Sequence, residues 1–476
     1  MQPGARPNGT PPSRWVQALF TRVDVASLVF FRIAFGLLMV WDAWRYYANG
    51  WIAAYWLKPR FLFKFYGFSW VQPWPGEGLS LHWALLGLLA FFVAVGFCYR
   101  WSAILFFLSF TYFFLLDETW YQNHDYLIVL FSFLFIFIPA HGAVSVDAWF
   151  NPKIRSQTAP AWTLWLFRAQ FGLVYFYGGI AKIAPDWLRG EPMRMRMSFR
   201  TDFPLIGRFF REEWAVYAMS YGGLLLDLFI VPFLLWRRTR LAAFAVAAIF
   251  HLMNARLFAI GVFPWLAIAA TTLFLSPSWP RRVLSVFGRV PSWVAPTTAI
   301  LPSRRRQRAV LGLVAIYLTV QFLLPLRPFL GPGGDEWVYM EHRFCWRMML
   351  RDPSVQGFFY VTDPNTGRTA QVNPGRFLTP MQRVRINWQP DMVVQFAHYL
   401  AETMPRSGSE PLQVEARLFA SFNGRKPELF VDPNTDLAKQ ERTLLRPSWL
   451  RPMHEPLPPP GKDLSEDPFA SPLGGK

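Results

Sequence analysis

The chain has 476 residues, of which 53% are hydrophobic and 18% aromatic, a composition too apolar for an ordinary soluble protein of two or three domains. Its formal charge of +18 would suggest nucleic acid in a soluble protein. Here many arginines flank apolar runs, where they set membrane orientation, and no nucleic-acid partner is expected.

Residues 1–24 are polar and rich in Pro and Gly, without the apolar core and small-residue cleavage site of a signal peptide. They read as a cytoplasmic tail, and the first membrane helix is expected to act as the insertion signal. Crossing the hydrocarbon takes roughly 17 to 25 mostly apolar residues per helix. Such runs occur at 25–46, 80–97, 101–116, 123–139, 162–182, 214–236, 241–254, 257–275 and 309–326, about nine by that criterion. Residues 25–326 are therefore expected to be a polytopic α-helical membrane domain. Between the first two runs, 47–79 is rich in Trp and Pro, as in an interfacial or re-entrant loop.

With alternating helices, Arg14, Arg22, Arg100, Lys153, Arg155, Arg237, Arg238, Arg240 and the basic loop containing Arg281, Arg289 and Arg304 share one side, which should be cytoplasmic. The Arg-rich stretch 189–211 breaks this pattern and falls outside. Beyond 326, short alternating stretches such as GFFYVTD and LQVEARLFASF are separated by Asp-Pro, Asn-Pro and Gly signals. Residues 327–455 are expected to form an extracytoplasmic α+β domain, with a helix at 390–404, and 456–476 a disordered Pro-rich tail. Cys98 and Cys345 are the only cysteines and fall on opposite faces, so no bond between them is expected.

An ionisable group inside a membrane bundle is costly, which makes it a functional candidate. Three stand out: His124 in WYQNHDYL, Lys182 in VYFYGGIAKIAPDW and His251 in FHLMNARLF. The alternating topology places all three at the outer end of the bundle. Burial of Lys182 in an apolar run would favour the neutral amine, a usable base; the plainer alternative is a lysine snorkelling from a helix end. Taken singly, His124 and His251 suit structural hydrogen bonds. Asn123 and Asn254 accompany them, so amide and imidazole groups are expected to line one pocket. Asp117, Asp186 and Asp227 fit helix-end or packing roles as well as catalytic ones. There is no HExxH, CxxC, GxGxxG, Walker A or GxSxG pattern, and no metal is expected. In MRMRMSFR, Met and Arg alternate; an extended segment would show an apolar and a cationic face. Arg194, Arg196 and Arg200 would then meet an anionic substrate, or, more blandly, lipid phosphates.

The segments FRIAFGLLMVWD (31–42), GFCYR (96–100), FLLDETWYQNHDYL (114–127), VYFYGGIAKIAPDW (174–187), GGLLLDL (222–228), FHLMNARLFAIGVFPW (250–265), LSPSWP (275–280), RFCWRMML (343–350) and VNPGRF (372–377) resemble, in order, the vitamin K-dependent γ-carboxylase family, including bacterial relatives with the horizontally transferred transmembrane (HTTM) domain. The resemblance implies a multi-pass protein of a bacterial inner membrane that takes a vitamin K hydroquinone of the menaquinol type from the bilayer. It also implies O2 and CO2 as co-substrates and a glutamate-containing protein or peptide as acceptor. In the implied reaction a base deprotonates the hydroquinone, O2 adds, and the strongly basic oxygenated product removes a γ-proton from glutamate, whose carbanion captures CO2. Lys182 matches the family's initiating lysine, Asn123 and His124 its NH motif, and His251 a pocket histidine. Two departures are PLRP with Pro328, where many relatives have PLRH, and Cys345, where many have Ser. The alternatives are a quinol epoxidase without carboxylation, and a non-catalytic membrane scaffold or transporter.

Overall fold

In the computed structural model, residues 13–258, 260–288, 301–329, 343–386 and 388–459 are described. Arg289, the start of the N-terminal tail and most of the Pro-rich C-terminal tail lie outside them. A short ladder of β1 (Arg22–Asp24) with β2 (Thr158–Pro160) ties the entrance of the first membrane helix to that of the fifth. The apolar runs fold as α1 (Ala26–Ala48), α2 (Gly78–Val95), α3 (Tyr99–Leu116), α4 (Asn123–Phe137) and α5 (Ala161–Ala181). After a short α6 (Met193–Ser198) come α7 (Glu213–Leu235), α8 (Arg240–Leu257), α9 (Phe263–Thr271) and α10 (Arg304–Leu323). Among the described residues six helices are long and apolar enough to cross a membrane: α1, α2, α3, α7, α8 and, continued to Pro328, α10. The helices α4 and α9 are apolar but shorter, and α5 carries Arg168 and Gln170. A polytopic bundle is thus present, while the expected number of nine spans goes beyond what length and apolarity establish.

Without a hydrophobic force between them, membrane helices associate where small residues let backbones approach. A Cβ on Gly36 would stand 2.6 Å from Ala94 Cβ, so α1 and α2 meet at van der Waals contact. The same device sets the functional helices: a Cβ on Gly179 would lie 2.7 Å from Leu228 Cδ2, and one on Gly178 would lie 3.1 Å from Asp227 Oδ2. The adjacent glycines of α5 thereby bring α7 against it. Arg32, fully buried, donates to Ala140 O at 2.8 Å and Val144 O at 2.5 Å, which ties α1 to the turn that follows α4.

The C-terminal region contains an antiparallel sheet in the order β4-β3-β5-β6, from β3 (Pro353–Asp363), β4 (Arg368–Val372), β5 (Gln413–Phe422) and β6 (Glu428–Leu429). Alternation puts Phe359, Val361, Val414, Ala416 and Leu418 in one core with Val393, Phe396 and Leu400 of the helix α12 (Pro390–Thr403), which follows α11 (Pro380–Ile386). The mixed α+β expectation and the helix at 390–404 are met. No disulfide joins Cys98 to Cys345.

This region is joined to the membrane helices by buried polar contacts around the turn between α3 and α4. Glu118, fully buried, accepts from Arg343 Nη1 at 2.5 Å and from Gln395 Nε2 at 3.2 Å, and Arg343 also donates to Gln389. Gln395 bonds both the N–H and the carbonyl of Lys64. Asp117 accepts from Thr119 N at 2.9 Å and Gln382 Nε2 at 3.4 Å. Burial nevertheless pushes its carboxyl up to about 6, against the pull of the Thr119 hydrogen bonds and nearby Lys64. The folded state therefore holds this proton more tightly than the unfolded chain. Its contribution is complete below the unfolded value of 3.8 and is lost as pH rises through about 6. Relative to Asp117→Asn, the wild-type protein should lose on the order of 3 kcal/mol between about pH 4 and 6, read from unfolding at each pH. Parallel pH dependences of the two proteins would contradict this.

Candidate active site

Tyr175, Gly178 and Lys182 recur at helical spacing and so share one face of α5 and its C-cap. Lys182 Nζ donates to Asp227 Oδ2 at 2.5 Å and to Gly178 O at 3.2 Å, and lies 5.2 Å from the centre of the Trp187 ring. Lysine and aspartate are only 6% and 5% exposed. The expected lone amine in an apolar run is thus corrected: Lys182 has a buried carboxylate partner. Asp227, a residue the sequence left between packing and chemistry, is that partner. Its GGLLLDL setting carried the only signal, a carboxylate inside an apolar helix. Met348, from the segment before β3, reaches the same place, 3.5 Å from where a Gly178 Cβ would stand.

Two turns up the same face, Tyr175 Oη bonds His251 Nε2 at 2.7 Å, with Thr271 Oγ1 at 3.5 Å. His251 is 2% exposed, and its Nδ1 has no hydrogen-bond partner among the described residues. A buried polar atom without a partner is costly and calls for an explanation, a bound polar group among them. The Phe263 ring separates the two histidines, its centre 5.8 Å from that of His251 and 5.9 Å from that of His124. His124 Nε2 lies 3.7 Å from Asp125 Oδ1. Asn123 is turned aside, its Oδ1 accepting from Tyr121 Oη at 3.1 Å, and that hydroxyl in turn accepts from Phe344 N at 2.6 Å. Asn254 sits one turn beyond His251 near the end of α8, half-buried. Lys182 and the Tyr175–His251 pair thus share one face of α5, and His124 stands across Phe263; no hydrogen bond joins His124 to Lys182 among the described residues. Trp346, stacked on Tyr126 at 5.2 Å and buried with no partner for its Nε1 among the described residues, adds a donor that the sequence did not single out.

The arginines expected to face an anionic substrate do something else. The MRMRMS stretch is helical rather than extended, and Met193 and Met197 are buried. Arg194 makes a two-pronged contact with Glu213, Nε to Oε1 at 2.8 Å and Nη2 to Oε2 at 2.7 Å, and a further one with Glu191. Arg196 donates to Met349 O at 3.0 Å and Arg351 O at 2.6 Å. Arg200 donates to Arg256 O at 2.7 Å and Leu257 O at 2.8 Å, closing the C-terminal carbonyls of α8. All three hold the segment in place. Neutralising them together should lower every activity in parallel and open 189–211 to protease, without a selective loss of acceptor affinity. Asp186 is structural likewise, gripped at 2.6 and 2.8 Å by Arg425. Among the described residues no group of three or more His, Cys, Asp or Glu side chains is placed to hold a metal ion.

The family profile of the HTTM domain matches residues 20–279, which take in α1 to α9. That of the vitamin K-dependent gamma-carboxylase lumenal domain matches residues 306–456, from α10 through the sheet. No solved structure matches the chain.

Proposed function

The chain belongs to the vitamin K-dependent γ-carboxylase family, an HTTM domain followed by the family's lumenal domain, and from that premise we propose a quinol-oxidising, glutamate-carboxylating membrane enzyme. Its reaction would couple epoxidation of a reduced vitamin K of the menaquinol type by O2 to carboxylation of a peptidyl glutamate by CO2. The observation that carries this reading is the buried Lys182–Asp227 pair. The reduced quinone, with O2, supplies the strong base that the γ-proton of glutamate requires.

Lys182 and Asp227 are together neutral, and their shared proton leaves the pair with one vacant proton site. A quinol hydroxyl that gives up its proton there leaves an anion beside a cationic pair, so a neutral encounter becomes an attracting one. That attraction is strong where water is excluded. Trp187 faces the lysine and supplies a π surface for its charge. With Tyr175 O–H donating to Nε2, the His251 ring carries its proton on Nδ1 and offers a donor to a quinone oxygen. The unpartnered Nδ1 fits such a group. His124 and Asn123, held by the turn that Glu118 and Tyr121 anchor, would stabilise charge on the far side of Phe263. The aromatic walls keep water from quenching the base.

The match to the family's lumenal domain supports a non-cytoplasmic C-terminal region, and the arginine pattern supports a cytoplasmic N-terminus in what would be a bacterial inner membrane. The acceptor would be a glutamate-containing protein or peptide. Purified protein given reduced vitamin K and O2 should form epoxide above a protein-free control. A folded protein that forms none would sink the reading.

A further inference from the structure

A groove of about 670 Å³ opens on the outer surface of the bundle between α1, α8 and α9. Its walls are apolar, and Leu37, Trp41, Leu252 and Trp265 along them are exposed. In the membrane such a surface meets only hydrocarbon. From Phe30 to Trp41 the α1 wall runs roughly 16 Å, at about 1.5 Å per residue.

Both long walls lead to one place. One turn beyond Trp41 on α1 stands Arg45, whose guanidinium lies 5.3 Å from the Trp41 ring centre. One turn before Trp265 stands Gly261, with φ at +56°. The two helices run in opposite directions, so these ends coincide: a Cβ on Gly261 would meet Arg45 Nη1 at 3.5 Å and His124 Nε2 at 3.8 Å. The groove thus ends in polar groups belonging to the candidate site. Arg45 is already paired with Asp42, Nη1 to Oδ1 at 2.9 Å, and Asp125 adds a second carboxylate beside His124. With its guanidinium already paired to Asp42, this end disfavours a phosphate and suits a neutral polar ring.

We propose that this groove holds the prenyl tail of the quinol, with its ring entering the candidate site past the Arg45–His124 end at Gly261. The proposal rests on the quinol chemistry put forward above. A menaquinone carrying a photoreactive diazirine at the far end of its tail, irradiated with wild-type protein in lipid nanodiscs, should label 30–38, 244–248 or 268–272. This readout needs no turnover, so it survives even if the protein proves inactive. Labelling confined to other helices would overturn the proposal and leave the groove to a lipid acyl chain.

Ala34→Phe and Ala248→Phe, made separately, fill the groove from opposite walls. Either folded variant should raise KM for a long-tailed quinol at least tenfold and leave KM for the tail-less naphthoquinol unchanged. Equal effects on both quinols, or none on either, would also overturn it. If neither variant folds, the wild-type labelling pattern decides.

Discussion

Lys182→Ala should lower quinol oxidation by about 10³- to 10⁴-fold, the upper part of the range for loss of a positioned base. The amine is buried against Asp227 at 2.5 Å, so no neighbouring solvent molecule replaces it at once. The variant leaves the Asp227 carboxyl without its counter-charge, and a buried carboxyl in that position takes up a proton rather than remain ionised. Folding is therefore weakened but retained, and a small exogenous amine that enters the vacated space should restore part of the rate. Epoxide formation is the measurement. A folded Lys182→Ala protein with wild-type epoxide formation would remove Lys182 from the mechanism.

Asp227→Asn should be nearly as damaging, about 10²- to 10³-fold in the same assay, because the amide cannot share the lysine's proton. It should also destabilise the protein by about 3–5 kcal/mol, the cost of breaking a buried pair by removing one partner. The Lys182→Ala/Asp227→Asn double variant separates the two effects: stability should recover relative to the additive expectation while activity stays lost. If the double variant is no more stable than the sum of the singles predicts, the two residues are not energetically coupled and the pair is not the unit proposed.

The membrane helices were legible because hydrocarbon thickness imposes run length, and each of the expected segments overlaps a helix. The sheet was legible from alternation, as at Val414, Ala416 and Leu418. Lys182, His124 and His251 stood out as polar groups in apolar runs. Their partners did not, because pairing across helices depends on close approach that composition does not encode. Asp227 is 45 positions from Lys182, and only the contact made possible by Gly178 and Gly179 brings it there. Arg343 is 225 positions from Glu118. The MRMRMS stretch misled for a different reason. Six residues fit period two and a helical turn alike, and the buried Met193 and Met197, four apart, belong to the helix.

The most direct measurement of the central claim gives the purified protein a glutamyl peptide, reduced vitamin K, O2 and labelled bicarbonate, and follows epoxide and fixed label together. The account predicts both products, each requiring quinol and O2, and the loss of both with Lys182→Ala. Epoxide without fixed label would contradict the carboxylation half, and absence of both from a folded wild-type protein would contradict the whole.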